Sequence, residues 1–289
     1  MKQEDQAKHG NVLPAGLVNP PRENTCYLNS TLQCLRSIPE LKEGLKLLKN
    51  DSAAAANDPS QLSQELANLF ERLDTSVEGF YPGFFISKLR QTYHQYAEQN
   101  QGTFKQQDAE EFFNLLLNNL ARSLINRPQQ LSELVKRSSS VERPNVIDTL
   151  FGFEQEIKLS CEESGEGPEI KRESDRKLVC NIQGGAGASV QINHLHEGIK
   201  MALEGEVEKH SDELGRNAIW KKQSRMDHLP KYLCVQLMRF YWKRVVASDE
   251  TRGVNCKMLR VGHSRKSFCF LSYSKNGILA LFVCTANQF

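Results

Sequence analysis

The chain has 289 residues, 39% hydrophobic and 25% charged, with 37 basic against 35 acidic side chains and a net charge of +2. That length can bury roughly three quarters of the unfolded surface, as one large domain or two small ones. The mixed charge holds no basic block of the kind that marks a nucleic-acid partner, and the longest apolar run, the eight residues Gly277–Cys284, is too short to span a membrane.

Residues 1–15 read as a flexible leader whose polar start, Met1–Gln6, has no signal core. Leu28, Leu32, Leu35 and Ile38 recur at helical spacing, so a helix is expected from Asn24 or Thr25 to near Ser37, where Pro39 stops it. Asp51–Pro59 reads as a connection. Ser60–Leu73 is a second helix on Leu62, Leu66, Leu69, Phe70 and Leu73. A third follows Tyr81-Pro82 on Phe85, Leu89 and Tyr93. A fourth starts at Gln106-Gln107-Asp108, with Asp108 and Glu111 at capping-box spacing and Phe112, Leu116 and Leu120 as its stripe.

Residues 126–145 are polar and serine-rich and read as a linker. The period then changes from helical to alternating. Ile157, Leu159 and Cys161 are expected to run out and Leu178, Cys180 and Ile182 to run back as one hairpin. Gly184-Gly185-Ala186-Gly187 lacks the Lys-Ser/Thr of a phosphate loop. His194–His210 is expected as a helix, and Leu229–Phe240 as a strand apolar on both faces and therefore central.

Eight cysteines form no Cys-x-x-Cys pair, which predicts reduced thiols in the cytoplasm or nucleus. Cys161 facing Cys180 across the hairpin, or His194-x-His196, falls short of a zinc ligand set. No metal and no cofactor is expected. Cys26 is the exception in position. In the first turn of a helix the unpaired N–H groups favour an anion, and a thiolate is the nucleophilic form of cysteine. The other reading of Cys26 is a half-buried structural cysteine, and of Gln-Gln-Asp simply a capped helix start.

Three segments resemble one family. Asn24-Thr25-Cys26-Tyr27-Leu28-Asn29-Ser30 resembles the cysteine box of the ubiquitin-specific proteases. Gln106–Phe112 resembles their Gln-Gln-Asp box, and Leu229-Pro230 through Leu237-x-Arg239-Phe240 their central strand. Arg216-Asn217-Ala218 and the lack of Cys-x-x-Cys pairs look most like the proteasome-associated branch, which carries an N-terminal ubiquitin-like domain. The resemblance implies an α+β, papain-like hand fold of helical thumb, palm and fingers. It implies a catalytic domain over residues 16–260, with the thumb at 16–125 and the fingers and part of the palm at 146–260. The implied activity is thiol-dependent hydrolysis of the isopeptide bond after the ubiquitin C-terminal glycine, in proteasomal ubiquitin recycling. Cys26 is the implied nucleophile, and Gln107 and Asp108 hold the extended ubiquitin tail. The implied partners are ubiquitin, ubiquitinated proteins and the proteasome, with no nucleic acid and no membrane.

Three departures qualify these expectations. The family pattern Asn-Leu-Gly-Asn-Thr-Cys is here Asn19-Pro20-Pro21-Arg22-Glu23-Asn24-Thr25-Cys26, so Asn19 stands seven residues before the cysteine instead of five. In the family that asparagine stabilises the oxyanion, a donor whose loss costs roughly 10²–10³ in rate. Asn19 and Asn24 are the two candidates for it. No counterpart is expected within residues 261–289 for the C-terminal palm with its Gly-His-Tyr box. Gly262-His263 is the remaining candidate for the base, but Ser264-Arg265 follows it where an aromatic strand is expected. No ubiquitin-like domain is expected before residue 15. Residues 261–289 match nothing in the family, and Phe268, Phe270 and Leu271 are expected to cover part of the sheet. The competing readings are a catalytically impaired fragment that binds ubiquitin or the proteasome, and a helical scaffold with structural cysteines.

Overall fold

The computed structural model describes residues 15–48, 59–124, 145–181, 183–184, 190–191, 194–227, 229–238, 240–247, 250–257, 268–273 and 277–283. The chain divides into two units, Met1–Gln106 with Asn118–Leu124, and Gln107–Leu117 with Ile125–Phe289.

The first unit is helical. Helix α1 (Cys26–Arg36) buries Leu28, Leu32 and Leu35 completely. Pro39 ends it as expected, and its fixed φ also starts α2 (Pro39–Lys46), a helix to which the sequence reading assigned no element. Helix α3 (Pro59–Thr75) buries Leu62, Leu66, Leu69, Phe70 and Leu73, and α4 (Gly83–Thr92) buries Phe85, Ile86 and Leu89. Strands β1 (Gln99–Asn100) and β2 (Thr103–Phe104) then form an antiparallel hairpin. Its turn residues Gln101 and Gly102 both have positive φ, 50° and 73°; this tightest hairpin turn demands it and glycine meets it without strain. Helix α5 (Ala109–Leu124) has its last turns, Asn118–Leu124, in this unit. There the buried Ser63 donates to Asn119 Oδ1 at 2.6 Å and Asn119 Nδ2 donates to Tyr93 at 3.2 Å, so the buried polar groups answer one another.

The second unit is mixed. Helix α6 (Val146–Phe151) is capped by Asn145, whose side chain accepts from Asp148 N. Strand β3 (Phe153–Cys161) pairs antiparallel with β4 (Glu169–Asp175). Strand β5 (Leu178–Asn181) belongs to another sheet, and β6 (Gln183–Gly184) and β7 (Val190–Gln191) form a small pair of their own. Helix α7 (Leu195–Leu203) is followed by β8 (Glu204–Ser211) and β9 (Arg216–Met226). Strand β10 (Tyr232–Met238) is buried from Tyr232 to Leu237. A hairpin of β11 (Phe240–Ala247) and β12 (Glu250–Lys257) follows, then β13 (Phe268–Tyr273) and β14 (Gly277–Val283).

Two four-stranded sheets result, ordered β4-β3-β9-β8 and β13-β14-β10-β5. The second has the doubly apolar strand β10 inside it, as expected, with Leu233, Val235 and Leu237 packed on Phe153, Leu178, Cys180 and Ile199.

The strand assignments correct the sequence reading in three places. The partner of Ile157, Leu159 and Cys161 is Glu169–Asp175, not Leu178–Ile182. That strand is a charged, solvated edge, so it carries no apolar alternation to read. Leu178 and Cys180 run parallel to β10 instead, so Cys161 lies beside Trp220 and not beside Cys180. The helix expected to reach His210 stops at Leu203, where Glu204-Gly205 begins a strand. The expectations for residues 1–14, 51–58, 126–144, Gly185–Gly187 and His263 lie outside the described residues.

The apolar run near the chain end is strand β14, paired with β10 over seven positions from Tyr232↔Val283 to Met238↔Gly277. The part of the tail beside β10 is therefore Gly277–Val283, with Phe268–Tyr273 one strand further out. Among the described residues no helix is long and apolar enough to cross a membrane. Deleting 262–289 would leave a row of unpaired N–H and C=O groups along a buried strand, an invitation to edge pairing. The expected result is a lower soluble yield and a shift to higher mass on gel filtration.

Candidate active site

Cys26 is the first residue of α1 and is exposed. The same helix buries Tyr27 and Leu28 next to it, so the amphipathic pattern itself pushes the thiol outward. Among the described residues with free thiols, Cys161, Cys180 and Cys234 are buried. Burial pushes the Cys180 thiol up to about 12, and burial first, then Tyr96, pushes the Tyr27 hydroxyl up. The unfolded chain releases these protons at lower pH, so the folded chain holds more of them above about pH 9. Stability should be complete below that pH and fall above it, by at most about 1.4 kcal/mol per pH unit for each group. Urea midpoints measured on either side of that boundary test the sign.

The approach to Cys26 is strapped down by carboxamides. Asn29 Nδ2 lies 3.2 Å from the Leu17 carbonyl and 3.3 Å from that of Val18, and Gln33 Nε2 donates to Ala15 at 3.1 Å. Asn29 and Gln33 are three and seven residues beyond Cys26, so one stripe of α1 carries the thiol and both clamps. At the end of the strapped segment Asn19 Oδ1 accepts from the Thr25 N–H at 3.0 Å and from its hydroxyl at 2.9 Å. Asn19 thus caps the start of α1 in place of Thr25, whose own side chain makes no cap bond.

The segment that departs from the family pattern is a turn, closed by Glu23 N donating to Pro20 O at 3.2 Å. It holds Arg22 at φ 68° and Asn24 at φ 50°. Both are in the left-handed region, tolerable for asparagine and costly for arginine. The turn is gripped from outside. Glu23 accepts from the Tyr81 hydroxyl at 2.8 Å and pairs with Arg90 at 2.9 Å. The Arg90 guanidinium lies 3.3 Å from the centre of the Phe104 ring. Phe104 N donates to Arg22 O at 2.9 Å, and Asn24 Nδ2 donates to Phe104 O at 2.9 Å. Strand β2 is therefore fastened to both left-handed residues.

Two residues beyond Phe104, Gln106 Nε2 donates to the Cys26 sulfur at 3.6 Å. The sequence reading quoted Gln106 within its box but gave the substrate role to Gln107 and Asp108. Its signal was its place as the first of three polar residues after a strand. Asp108 is buried and caps α5, its Oδ1 accepting from Glu110 N at 2.8 Å. Gln107 is half-buried. Asn24 turns its amide to Phe104, and Asn19 turns its oxygen to Thr25. An open hollow of about 450 Å³, lined by Tyr81, Ile86, Ser87, Arg90 and His94 among others, does not include Cys26. Among the described residues no group of three or more His, Cys, Asp or Glu side chains could hold a metal.

The arrangement combines an exposed sulfur at a helix start with an amide donor on it, which suits nucleophilic attack on a carbonyl. Comparison with known proteins points the same way. The profile described as "Ubiquitin carboxyl-terminal hydrolase" matches residues 15–261. "Ubiquitin carboxyl-terminal hydrolase 6" of Arabidopsis thaliana is 43% identical over 234 residues, covering 80% of this chain and 44% of that protein. "Ubiquitin carboxyl-terminal hydrolase 6" of Schizosaccharomyces pombe is 33% identical over 262 residues, 90% of this chain and 47% of that protein. "Ubiquitin carboxyl-terminal hydrolase 14" of Caenorhabditis elegans is 31% identical over 256 residues, 86% and 44% respectively. The chain therefore spans less than half the length of these relatives.

Proposed function

Because the chain belongs to the ubiquitin carboxyl-terminal hydrolase family, the ubiquitin-specific proteases, we propose that it is a thiol-dependent deubiquitinase with Cys26 as its nucleophile. Its substrates are ubiquitinated proteins, cut after the ubiquitin C-terminal glycine, and its setting is ubiquitin recycling at the proteasome in the cytoplasm and nucleus. The observation that carries this reading is the exposed Cys26 sulfur at the start of α1 with the Gln106 amide directed at it.

In this reading the sulfur electron pair forms a bond to the carbonyl carbon of the terminal glycine. The C–N bond breaks, the lysine amine leaves with the proton the thiol gave up, and water then hydrolyses the thioester. Gln107 and Asp108, at the start of α5, offer polar groups to the backbone of an extended ubiquitin tail. Asn19 caps the helix that carries the sulfur, and Asn24 holds β2. The test is to incubate the chain with ubiquitin bearing a C-terminal vinyl methyl ester and to map the adduct by mass spectrometry. A single adduct on Cys26 is expected. A folded chain that binds ubiquitin but forms no adduct would replace the enzyme with a non-catalytic binding protein.

A further inference from the structure

We propose that Gln106 is a catalytic residue, the donor that receives the negative oxygen formed when the Cys26 sulfur attacks a carbonyl. The proposal rests on the reading of Cys26 as a nucleophile and deepens it. Its first support is contact with the reacting atom, because the Gln106 side-chain N–H groups reach the sulfur at 3.6 Å. Attack joins the carbonyl carbon to that sulfur, so the new oxyanion lies two bonds from the atom Gln106 already touches. A modest swing of the exposed Gln106 side chain brings a donor to it, and removal of one donor to that oxygen costs about 10²–10³ in the rate of acyl transfer.

The second support is what the two asparagines of this region do. Asn24 directs its amide at the Phe104 carbonyl, and Asn19 is oriented by two hydrogen bonds from Thr25 to its oxygen. The Asn24 amide is thereby committed to the backbone of β2, and the Asn19 oxygen to Thr25.

The third support is delivery. Gln106 follows a strand end held from three sides: Phe104 bonds to Arg22 and Asn24, its ring lies under Arg90, and Lys105 N donates to Glu98 O at 2.9 Å. The left-handed residues Arg22, which is strained, and Asn24 are the ones that hold Phe104. Backbone strain of this kind persists where the surroundings over-determine it, and it concentrates at functional sites. Here the turn that displaces Asn19 from the family register is the same turn that anchors the hairpin presenting Gln106.

In the addition step the sulfur pair forms the S–C bond and the carbonyl π pair moves onto oxygen. Gln106 exchanges its N–H···S bond for an N–H···O bond and transfers no proton.

The experiment compares wild type with Gln106→Leu, which keeps the bulk and loses the donor, and with Gln106→Ala. Two ubiquitin reagents share one binding mode and differ in the atom attacked. A ubiquitin C-terminal thioester must form an oxyanion and release its small thiol. A ubiquitin propargylamide forms its adduct at an alkyne carbon without one. Both variants should lose about 10²-fold in thioester cleavage and little in propargylamide labelling, with unchanged melting curves. Equal losses with the two reagents would put the effect on the sulfur or on ubiquitin binding and overturn the proposal, as would no loss with the thioester. A folded wild-type chain inert to both reagents would instead overturn the deubiquitinase reading itself.

Discussion

Cys26→Ser is expected to abolish covalent labelling by ubiquitin reagents while leaving both the fold and reversible ubiquitin binding as they are. The two halves of that result follow from different facts. Serine keeps the shape of cysteine, and Cys26 is exposed at the start of α1, so the stability change should stay within about 0.5 kcal/mol. Reactivity depends on the sulfur alone. A neutral hydroxyl is a poor nucleophile without a strong base beside it, and removing a nucleophile from a group that acts as a unit costs on the order of 10⁶ in turnover. Intact mass spectrometry after incubation with the vinyl methyl ester reads the first half. Titration of labelled ubiquitin into each protein reads the second. Residual labelling of Cys26→Ser at another thiol would show that the reactive site is elsewhere; of the other described thiols Cys161, Cys180 and Cys234 are buried and Cys34 is half-buried.

The helices were legible because their apolar spacing is undisturbed. The stripes of α1, α3, α4 and α5 are the residues found buried, except Tyr93, which is half-buried and follows the end of α4. Strand β10 was legible for a related reason, being apolar on both faces. What the pattern hid was the sheet β4-β3-β9-β8. Its edges, β4 and β8, are solvated on nearly every residue, so neither shows a period-two apolar signal. Strand β9 does alternate at Ala218 and Trp220, but the exposed Ile219 between them and the lysines that follow mask it. Helix α2 was missed because Pro39 reads as a stop for α1, while the same proline also starts the next helix.

The site was legible to a different degree at each residue. Cys26 stood out through its position at a helix start. Asp108 stood out as a cap, and it is one. Gln106 was within the recognised box, yet its contact with the sulfur depends on a hairpin only two residues long on each side. That hairpin is held by left-handed Arg22 and Asn24, and a left-handed arginine leaves no trace in composition or periodicity. The displaced register of Asn19 was visible in the sequence. Its consequence was not, because that depends on Asn29 and Gln33 strapping residues 15–18 to α1.

Trp220→Ala is expected to destabilise the β4-β3-β9-β8 sheet by about 3–5 kcal/mol, whereas Trp220→Phe should cost far less than its loss of volume suggests. Trp220 is 3% exposed and packs with Ile157, Leu159, Cys161 and Ala218, one small cluster on the two central strands β3 and β9. Removing the indole leaves a void that four strands cannot close, because β9 pairs with β3 and β8 at full register on either side. Lys209 also loses the ring its ammonium sits over at 4.8 Å. Phenylalanine keeps a ring for both partners. It also removes the indole N–H, which is buried with no hydrogen-bond acceptor among the described residues. An unmet buried donor costs about 1–3 kcal/mol, and relieving it offsets much of the lost burial. Urea unfolding of the three proteins separates the terms. Equal destabilisation by Ala and Phe would show that the N–H is satisfied and that the whole indole is needed. If the sheet is an independent element of the fold, Trp220→Ala should also leave the rate of Cys26 alkylation by iodoacetamide unchanged at temperatures below the transition.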